Sequence, residues 1–257
     1  MPGDQPQEAA HPPAATASTP CCCGPVKVVL KKIEVKKKTN VLWFISATDD
    51  EVVASGATRI DRPDAAPLTT PAPAKWPTDE ASHGIGEGGH AGTDKDPLQA
   101  VMGQVDPMPR PGHPCYIKGA VVVTLWKVSA LQGVDPLAKQ VANALLQQAP
   151  SGAGLLGGIE KLVNDVIDAI LHGIGLGTIP MVPPITIELE GDNACDSDLA
   201  SLLQGQSKTS WSKVTLPDGT VDPDVLTRTA TVEGKGGVWE VTLTLERTCT
   251  KERQQHH

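Results

Sequence analysis

A one-sided apolar stripe in residues 135–173 is the strongest periodic feature of this chain. Asp135 and Pro136 are typical of a helix start, because Asp caps free backbone N–H groups and Pro suits the first helical position. A first run ends at Pro150, and a second run ends at Gly173. The second run carries the 3-4 spacing of an amphipathic helix at Leu155, Leu156, Ile159, Leu162, Val163, Val166, Ile167 and Ile170. The pattern predicts an inserted pair of amphipathic helices.

Three environments could accept the apolar side of this predicted pair. Packing on a sheet as core is the commonest reason for such a stripe, and packing against another subunit or insertion into a bilayer are the alternatives. The polar side of the second run carries Glu160, Asp165 and Asp168, and its apolar side has no aromatic residue. Helices that lie in a membrane interface favour Lys or Arg and Trp or Phe at these places, so membrane insertion is the less favoured alternative.

Most other ordered segments have strand patterns. In the last one, Trp239, Val241, Leu243 and Leu245 alternate with polar residues and are expected to face a core. A near-continuous apolar run in residues 116–128 predicts a strand buried on both faces. The predicted strands are residues 26–35, 41–45, 52–60, 116–128, 185–189, 211–216, 225–233 and 238–247. The fold class expected is mainly β, an antiparallel β-sandwich with the helical pair inserted between two strands.

The chain of 257 residues is expected to form one domain. Residues 1–25 are rich in Pro, Ala and Thr and predict an extended or disordered arm. Residues 26–253 form the predicted sandwich. It carries an irregular, Pro- and Gly-rich insertion at residues 61–114 and the helical insertion at residues 135–173. A long structureless loop is rare in a compact domain, so residues 61–114 are expected to be disordered or held on the surface of something larger.

Charge and targeting signals restrict the function. The net charge of −8 argues against nucleic-acid binding, which needs a basic face. The lysines between residues 27 and 38 mostly alternate with apolar residues, which is typical of the solvent face of a strand. The N-terminus lacks the apolar core of a Sec signal peptide, and no stretch is long enough for a transmembrane helix. The sequence therefore predicts a cytoplasmic protein or one released by a non-Sec route, with reduced thiols as the default.

The six cysteines divide into a run and three single residues. Cys21, Cys22 and Cys23 are adjacent, and three adjacent thiols cannot easily pair with one another. They could pair with other chains, carry a lipid or bind a soft metal. Cys195 and Cys249 lie in or beside separate β elements and are a candidate disulfide, with burial as ordinary small apolar residues as the alternative.

Several segments together resemble bacterial C2-like β-sandwich modules of unknown function. The similar segments are VVLKKIEVKKKT, ATDDEVVASGATRID, PPITIELEGDNACDSD and GGVWEVTLTLER. The resemblance covers residues 27–61 and 116–249, and the order of the elements supports it more than residue identities do. It implies a C2-like sandwich with a helical insertion.

The same resemblance implies a calcium site, since C2 sandwiches often bind calcium between rim loops. Clustered carboxylates suit this hard cation, which takes six to eight oxygen ligands. One acidic loop offers Asp49 and Asp50, and the other offers Asp192, Asp196 and Asp198. If the two loops lie at one rim, the five carboxylates converge. The alternative is that both are solvated turns, where Asp is common.

No catalytic motif stands out in the sequence. His113 and Cys115 are close, but the second ligand pair of a zinc site is missing. The nucleophile-elbow, kinase, phosphate-loop and zinc-protease patterns are absent. The sequence therefore predicts a non-enzymatic binding or structural protein, a subunit or cargo of a larger assembly with other protein subunits or with copies of itself. The alternatives are a calcium-dependent membrane-binding C2-type module and a membrane-active effector that uses the helical pair.

Overall fold

The structure is a computed structural model, and it describes residues 21–39, 51–60, 68–69, 74–76, 84–128, 178–205 and 210–249. These residues form antiparallel strands and one short 3-10 helix, Leu199–Leu202. The strands are β1 Val26–Lys37, β2 Glu51–Ile60, β3 Leu68–Thr69, β4 Ala74–Trp76, β5 His90–Ala91, β6 Ala100–Val105, β7 Tyr116–Val128, β8 Thr178–Asp192, β9 Ser212–Thr215, β10 Val221–Gly234 and β11 Gly237–Arg247.

All of the described strands belong to one sheet. Its main order is β3-β2-β7-β8-β10-β11-β1-β5, with β4 added to β2, β6 to β1 and β9 to β10. The half that contains β2, β7 and β8 joins the half that contains β10, β11 and β1 through a single register pair, Glu233 with Val182. The two halves are therefore hinged at one short junction, which allows the sheet to curl until they face each other.

Strand β6 closes the curl on the other side. It pairs with β1 and also lies against β2, where the Gln104 amide donates a hydrogen bond of 3.2 Å to Thr58 Oγ1. Glycine makes this close approach possible. A Cβ added at Gly56 would lie 1.6 Å from the carbonyl oxygen of Met102, and one at Gly103 would lie 2.4 Å from Thr58 Oγ1. Backbone contact between the two halves therefore depends on these glycines.

The core lies between the two halves and is built from aliphatic side chains. The predicted inward set of β11, Trp239, Val241, Leu243 and Leu245, is fully buried, which confirms the alternation read from the sequence. The facing half supplies residues from β2, β7 and β8. The central members are Val52, Ala54, Val121, Val123, Leu125, Ile185, Ile187 and Leu189. On the opposite, solvent side of β1, Lys31 pairs with Glu246 and Lys36 with Glu34 and Glu240, so the basic run forms a charge-paired surface.

Strand β7 has the bounds predicted from its apolar run, and it is buried on both faces. The side opposite the core includes Val122, Thr124 and Trp126, all nearly inaccessible to solvent. Thr124 Oγ1 lies 2.8 Å from Ser55 Oγ and accepts a hydrogen bond of 3.2 Å from Trp126 Nε1. The two hydroxyl groups thus hydrogen-bond to each other, because a buried hydroxyl without a partner would cost free energy.

The predicted fold class is wrong in one part and confirmed in another. The protein is mainly β and antiparallel, as expected. However, the described residues form one curled sheet and contain no α-helix, so the predicted sandwich with an inserted helical pair is not supported. Residues 135–173 themselves lie outside the described residues. A 3-4 apolar spacing shows which side chains would share a face of a helix, but it does not establish that a helix forms.

The structure also differs from the prediction of an irregular segment at residues 61–114. Residues 84–114 carry β5 and β6, and Met102 and Val105 are buried in the core. Short strands among glycines and prolines lack the alternation that identifies longer ones, so the sequence pattern does not reveal β6. The predicted strand at residues 41–45 lies outside the described residues. So do residues 1–20 of the predicted arm, residues 1–25, whereas residues 21–25 are described. Within the described ranges, no helix has the length and apolar content needed to cross a bilayer.

We expect Gly56→Ala to destabilise the fold by about 1–3 kcal/mol or more, because the new methyl group meets the backbone of β6. Urea unfolding measures the change. Since the contact is with the carbonyl oxygen of Met102, adding Met102→Ala should not restore stability. Thr229→Ala, on an exposed position of β10, is the control and should stay within about 0.5 kcal/mol of the parent. A Gly56→Ala protein as stable as the parent would show that β6 does not lie against β2.

Candidate functional site

The three adjacent cysteines lie immediately before β1, between two loops that end other strands. The Cys23 amide donates to the carbonyl of Asn193 at 2.9 Å, and the Cys195 amide donates to the carbonyl of Cys21 at 3.0 Å. On the other side, the Gly24 amide donates to the carbonyl of Thr248 at 2.8 Å. The run is therefore held as extended backbone between the end of β8 and the end of β11.

Each cysteine of the run forms a disulfide with a different part of the sheet. Cys21 bonds Cys195 after β8, Cys22 bonds Cys115 before β7, and Cys23 bonds Cys249 after β11. Successive side chains of an extended chain point to opposite sides, so Cys21 and Cys23 share one side and Cys22 has the other. In agreement, the sulfur atoms of Cys23, Cys195 and Cys249 all lie within 4.8 Å of one another.

The predicted disulfide between Cys195 and Cys249 is therefore not formed. Both residues are half-cystines, but their partners are Cys21 and Cys23. Both residues do lie at the ends of separate β elements, as predicted. Their partners cannot be read from the sequence, because they depend on which strand ends the 21–23 run meets in the fold. No free cysteine remains, so the described chain offers no thiolate to a soft metal in this state.

Arg247, the last residue of β11, fixes the loop beside the disulfides. Its side chain is almost fully buried. Arg247 Nε donates to Asp224 at 2.7 Å, and Nη1 donates to Asn193 Oδ1 at 3.2 Å and to Ser197 Oγ at 3.0 Å, while Nη2 donates to the carbonyl of Ser197. One guanidinium thus ties β10 and the loop after β8 to the end of β11. Since the charge is both paired and hydrogen-bonded, its burial is tolerated.

A second polar group lies at the rim near Cys115. The Tyr116 hydroxyl donates to Glu190 at 2.5 Å, and this bond, with the nearby Lys118 ammonium, lowers the pKa of Glu190. The Arg110 guanidinium lies 4.4 Å from the centre of the Tyr116 ring. His113 Nδ1 lies 3.0 Å from Asp192 Oδ2, with both side chains about half exposed. These contacts order the rim between β7 and β8.

The proposed calcium ligands are only partly described, and the described ones are engaged separately. Asp192 contacts His113, as above. Asp198 accepts a hydrogen bond from the Ala200 amide at 3.0 Å and pairs with Lys213 at 2.8 Å, and these contacts lower its pKa. Asp196 is exposed. Among the described residues, the three carboxylates do not form a group close enough to share one ion, and Asp49 and Asp50 lie outside that part of the chain.

The sequence contained one signal that points to the observed site. The sequence has three adjacent cysteines and three single cysteines spread over the rest of the chain. These numbers allow each cysteine of the run to form one disulfide with one of the single cysteines. Arg247 gave no comparable signal, because a basic residue at the end of a strand is ordinarily solvated.

Comparisons with protein-family models, with curated proteins and with solved structures give no match to this chain.

We expect Arg247→Met to destabilise the protein by about 3–5 kcal/mol, because Asp224 would remain as an unpaired carboxylate in a partly buried position. Chemical unfolding under oxidising conditions measures this. Lys213→Met is the control. It removes an exposed partner of Asp198 and should change the free energy of unfolding by about 1 kcal/mol or less. Equal effects of the two substitutions would contradict the role given to Arg247.

The disulfide pattern predicts the behaviour of the thiols. Denatured but unreduced protein should show no titratable thiol, and reduction should release all six. Peptide mapping without reduction should link the 21–23 run to three peptides, those with Cys115, Cys195 and Cys249. A peptide that links Cys195 directly to Cys249 would contradict the structure.

Proposed function

We propose that this protein is a non-enzymatic structural or binding protein that acts as a subunit of a larger assembly, with copies of itself as the first partner to test. The three-disulfide attachment at residues 21–23 is the observation that carries this proposal. It gives the Pro-, Ala- and Thr-rich residues 1–20 a covalently fixed origin on the sheet.

Three disulfides hold the three-residue segment 21–23 to the sheet. The three bonds span sequence separations of 174, 93 and 226 residues, and long closed loops are those whose unfolded entropy a crosslink restricts most. One bond alone would hold the segment in place. Three bonds to three strand ends distribute any pull on residues 1–20 over β7, β8 and β11, instead of over β1 alone.

This arrangement suits an arm that binds a neighbour. A segment of low hydrophobicity cannot fold by itself, but it can order on a partner surface. Because the segment is anchored on the sheet by disulfides, its binding to a neighbouring subunit holds the two subunits together. A pull on the segment then does not unfold the strand next to it. The lysine and glutamate side chains across β1 and β11 form ion pairs, which fits a surface that can stay solvated in the assembly.

The three disulfides also indicate the kind of cellular compartment in which the protein works. Disulfides persist in oxidising environments such as the periplasm, the extracellular space and virion or cell surfaces. The expectation of reduced thiols does not fit three disulfides. We therefore propose that the protein works outside the reducing cytosol.

Light scattering after size-exclusion chromatography tests the proposal. We expect the full chain to have a mass above the 26.9 kDa of a single chain, and a chain that lacks residues 1–20 to have the mass of one. The matched control carries residues 1–20 in scrambled order, which keeps composition and length, and it should behave like the deletion.

The remaining outcomes separate the proposal from its rivals. A single-chain mass for the full chain at all concentrations would overturn assembly with itself. Assembly that persists in the scrambled control would overturn the role of the arm. The same experiment, repeated with calcium and with anionic liposomes, also tests the alternative of a calcium-dependent C2-type module. We expect calcium to change neither the mass nor the melting temperature, and calcium-dependent capture by liposomes would favour that alternative instead.

A further inference from the structure

Four of the six cysteines bring their sulfur atoms into one cluster beside the entrance of β1. The sulfurs of Cys23, Cys195 and Cys249 all lie within 4.8 Å of one another, and the sulfur of Cys21 is bonded to that of Cys195. Cys23 is buried, and Cys195 and Cys249 are half-buried. Cys22 points to the other side of the extended run, where it is bonded to Cys115. We call Cys21, Cys23, Cys195 and Cys249 the four-sulfur cluster.

Backbone hydrogen bonds hold the segments of this cluster together independently of the sulfur atoms. Cys22 and Ala194 form an antiparallel bridge between the run and the loop after β8. Asn193 Nδ2 donates a hydrogen bond of 2.8 Å to the carbonyl of Gly24, and the Gly24 amide donates one of 2.8 Å to the carbonyl of Thr248. Reduction of the disulfides breaks none of these bonds, so the fold keeps the four sulfurs near one another as thiols.

The charges next to the cluster suit a group of thiolates. Arg247 lies two residues before Cys249, and its Nη1 donates a hydrogen bond of 3.0 Å to Ser197 Oγ, in the loop that carries Cys195. The nearest carboxylate is that of Asp224, whose Oδ1 lies 3.4 Å from the sulfur of Cys249. The same oxygen accepts a hydrogen bond of 2.7 Å from Arg247 Nε, so its negative charge is paired. A fixed guanidinium beside the sulfurs offsets the negative charge of thiolate ligands.

We propose that the four-sulfur cluster binds one zinc ion when its cysteines are thiols. Structural zinc takes four ligands in a tetrahedron with Zn–S bonds of about 2.3 Å, which places the sulfurs about 3.8 Å apart. Separations within 4.8 Å are close to this value, so small side-chain rotations can complete the site. Thiolate ligands in a tetrahedron favour zinc over hard cations such as calcium and magnesium.

The four sulfurs therefore have two alternative bonding states, two disulfides or one zinc site. A newly made chain carries its cysteines as thiols until it reaches an oxidising compartment, so zinc binding needs no reductant at that stage. In the experiment, a water-soluble phosphine supplies the electrons. Each disulfide reacts with one phosphine and one water to give two thiols and one phosphine oxide. Cys22 and Cys115 are reduced as well, but they lie outside the cluster.

Cobalt(II) is the probe, because its visible absorption reports tetrahedral thiolate coordination, whereas zinc has a filled d shell. We expect the full chain, reduced by the phosphine without oxygen, to bind one equivalent of cobalt, and zinc to displace it. The oxidised chain should bind neither metal at this site, because it has no free thiol.

Three variants with equal numbers of thiols locate the site. Each replaces one disulfide pair by serine and keeps four cysteines, and they are Cys22→Ser/Cys115→Ser, Cys21→Ser/Cys195→Ser and Cys23→Ser/Cys249→Ser. The first is the matched control and should bind zinc as tightly as the parent. Each of the other two removes two ligands, so we expect zinc to bind about a hundredfold more weakly or worse.

Alkylation of the reduced parent chain by iodoacetamide identifies the ligands directly. We expect zinc to slow the reaction of the four-sulfur cluster and to leave the rates of Cys22 and Cys115 unchanged. Mass spectrometry of the peptides measures each rate with and without zinc.

Three results would each overturn the zinc site. They are the absence of thiolate-to-cobalt absorption in the reduced chain, equal zinc affinity in the three variants, and equal protection of Cys22 and Cys115 by zinc. Equal affinity would show that the thiols bind as an unfolded pool, so loss of the fold on reduction also gives a definite answer. None of these measurements involves the assembly of the oxidised chain, so the zinc site and the proposed function are tested separately.

Discussion

The structure depends on how the chain enters β1. Residues 21–23 lie at the meeting point of three strand ends, and their disulfides hold those ends together whether or not the core is formed. The core needs such help, because it is built largely from Val, Leu and Ile with few aromatic side chains. Among the described strands, the two halves of the sheet share one register pair at their junction, Glu233 with Val182. The crosslinks therefore lie at the end of the sheet where the hydrogen-bonded pair β7 and β8 meets the hydrogen-bonded pair β1 and β11.

Much of the sheet could be predicted from the sequence, since strand alternation is a local property. Strand β7 has its predicted bounds, and the inward residues of β11 are the predicted ones. What the sequence could not show was pairing at a distance. The curl depends on Gly56 lying against the backbone of Met102, and no local pattern marks that contact. The candidate site was predicted in the same incomplete way. Cys195 and Cys249 were recognised, but their pairing follows from which strand ends meet, and that is set by the topology.

Two arginines of the sheet show how one residue type can meet different surroundings in one fold. Arg247 has its acceptors built into the loop after β8, and it stabilises that loop. Arg228 lies on the core side of the neighbouring strand with a buried Nε that has no acceptor. A sequence shows both as basic residues in strands of mixed polarity. The two residues differ in the carboxylates, amides and hydroxyls placed around them, and that placement is a property of the folded chain.

The alternation of side chains along residues 21–23 also constrains how the chain can mature. Six cysteines can pair in fifteen ways. A shift of the run by one residue would turn all three sulfur atoms to the wrong sides, so a correctly oxidised run is also a check on the register of β1. A shift by two residues would keep the sides. Moreover, the sulfurs of Cys23, Cys195 and Cys249 are close enough for a thiolate to exchange partners among them. Errors in oxidation should therefore concentrate in exchanges between Cys21 and Cys23, while Cys22 keeps Cys115 as its partner.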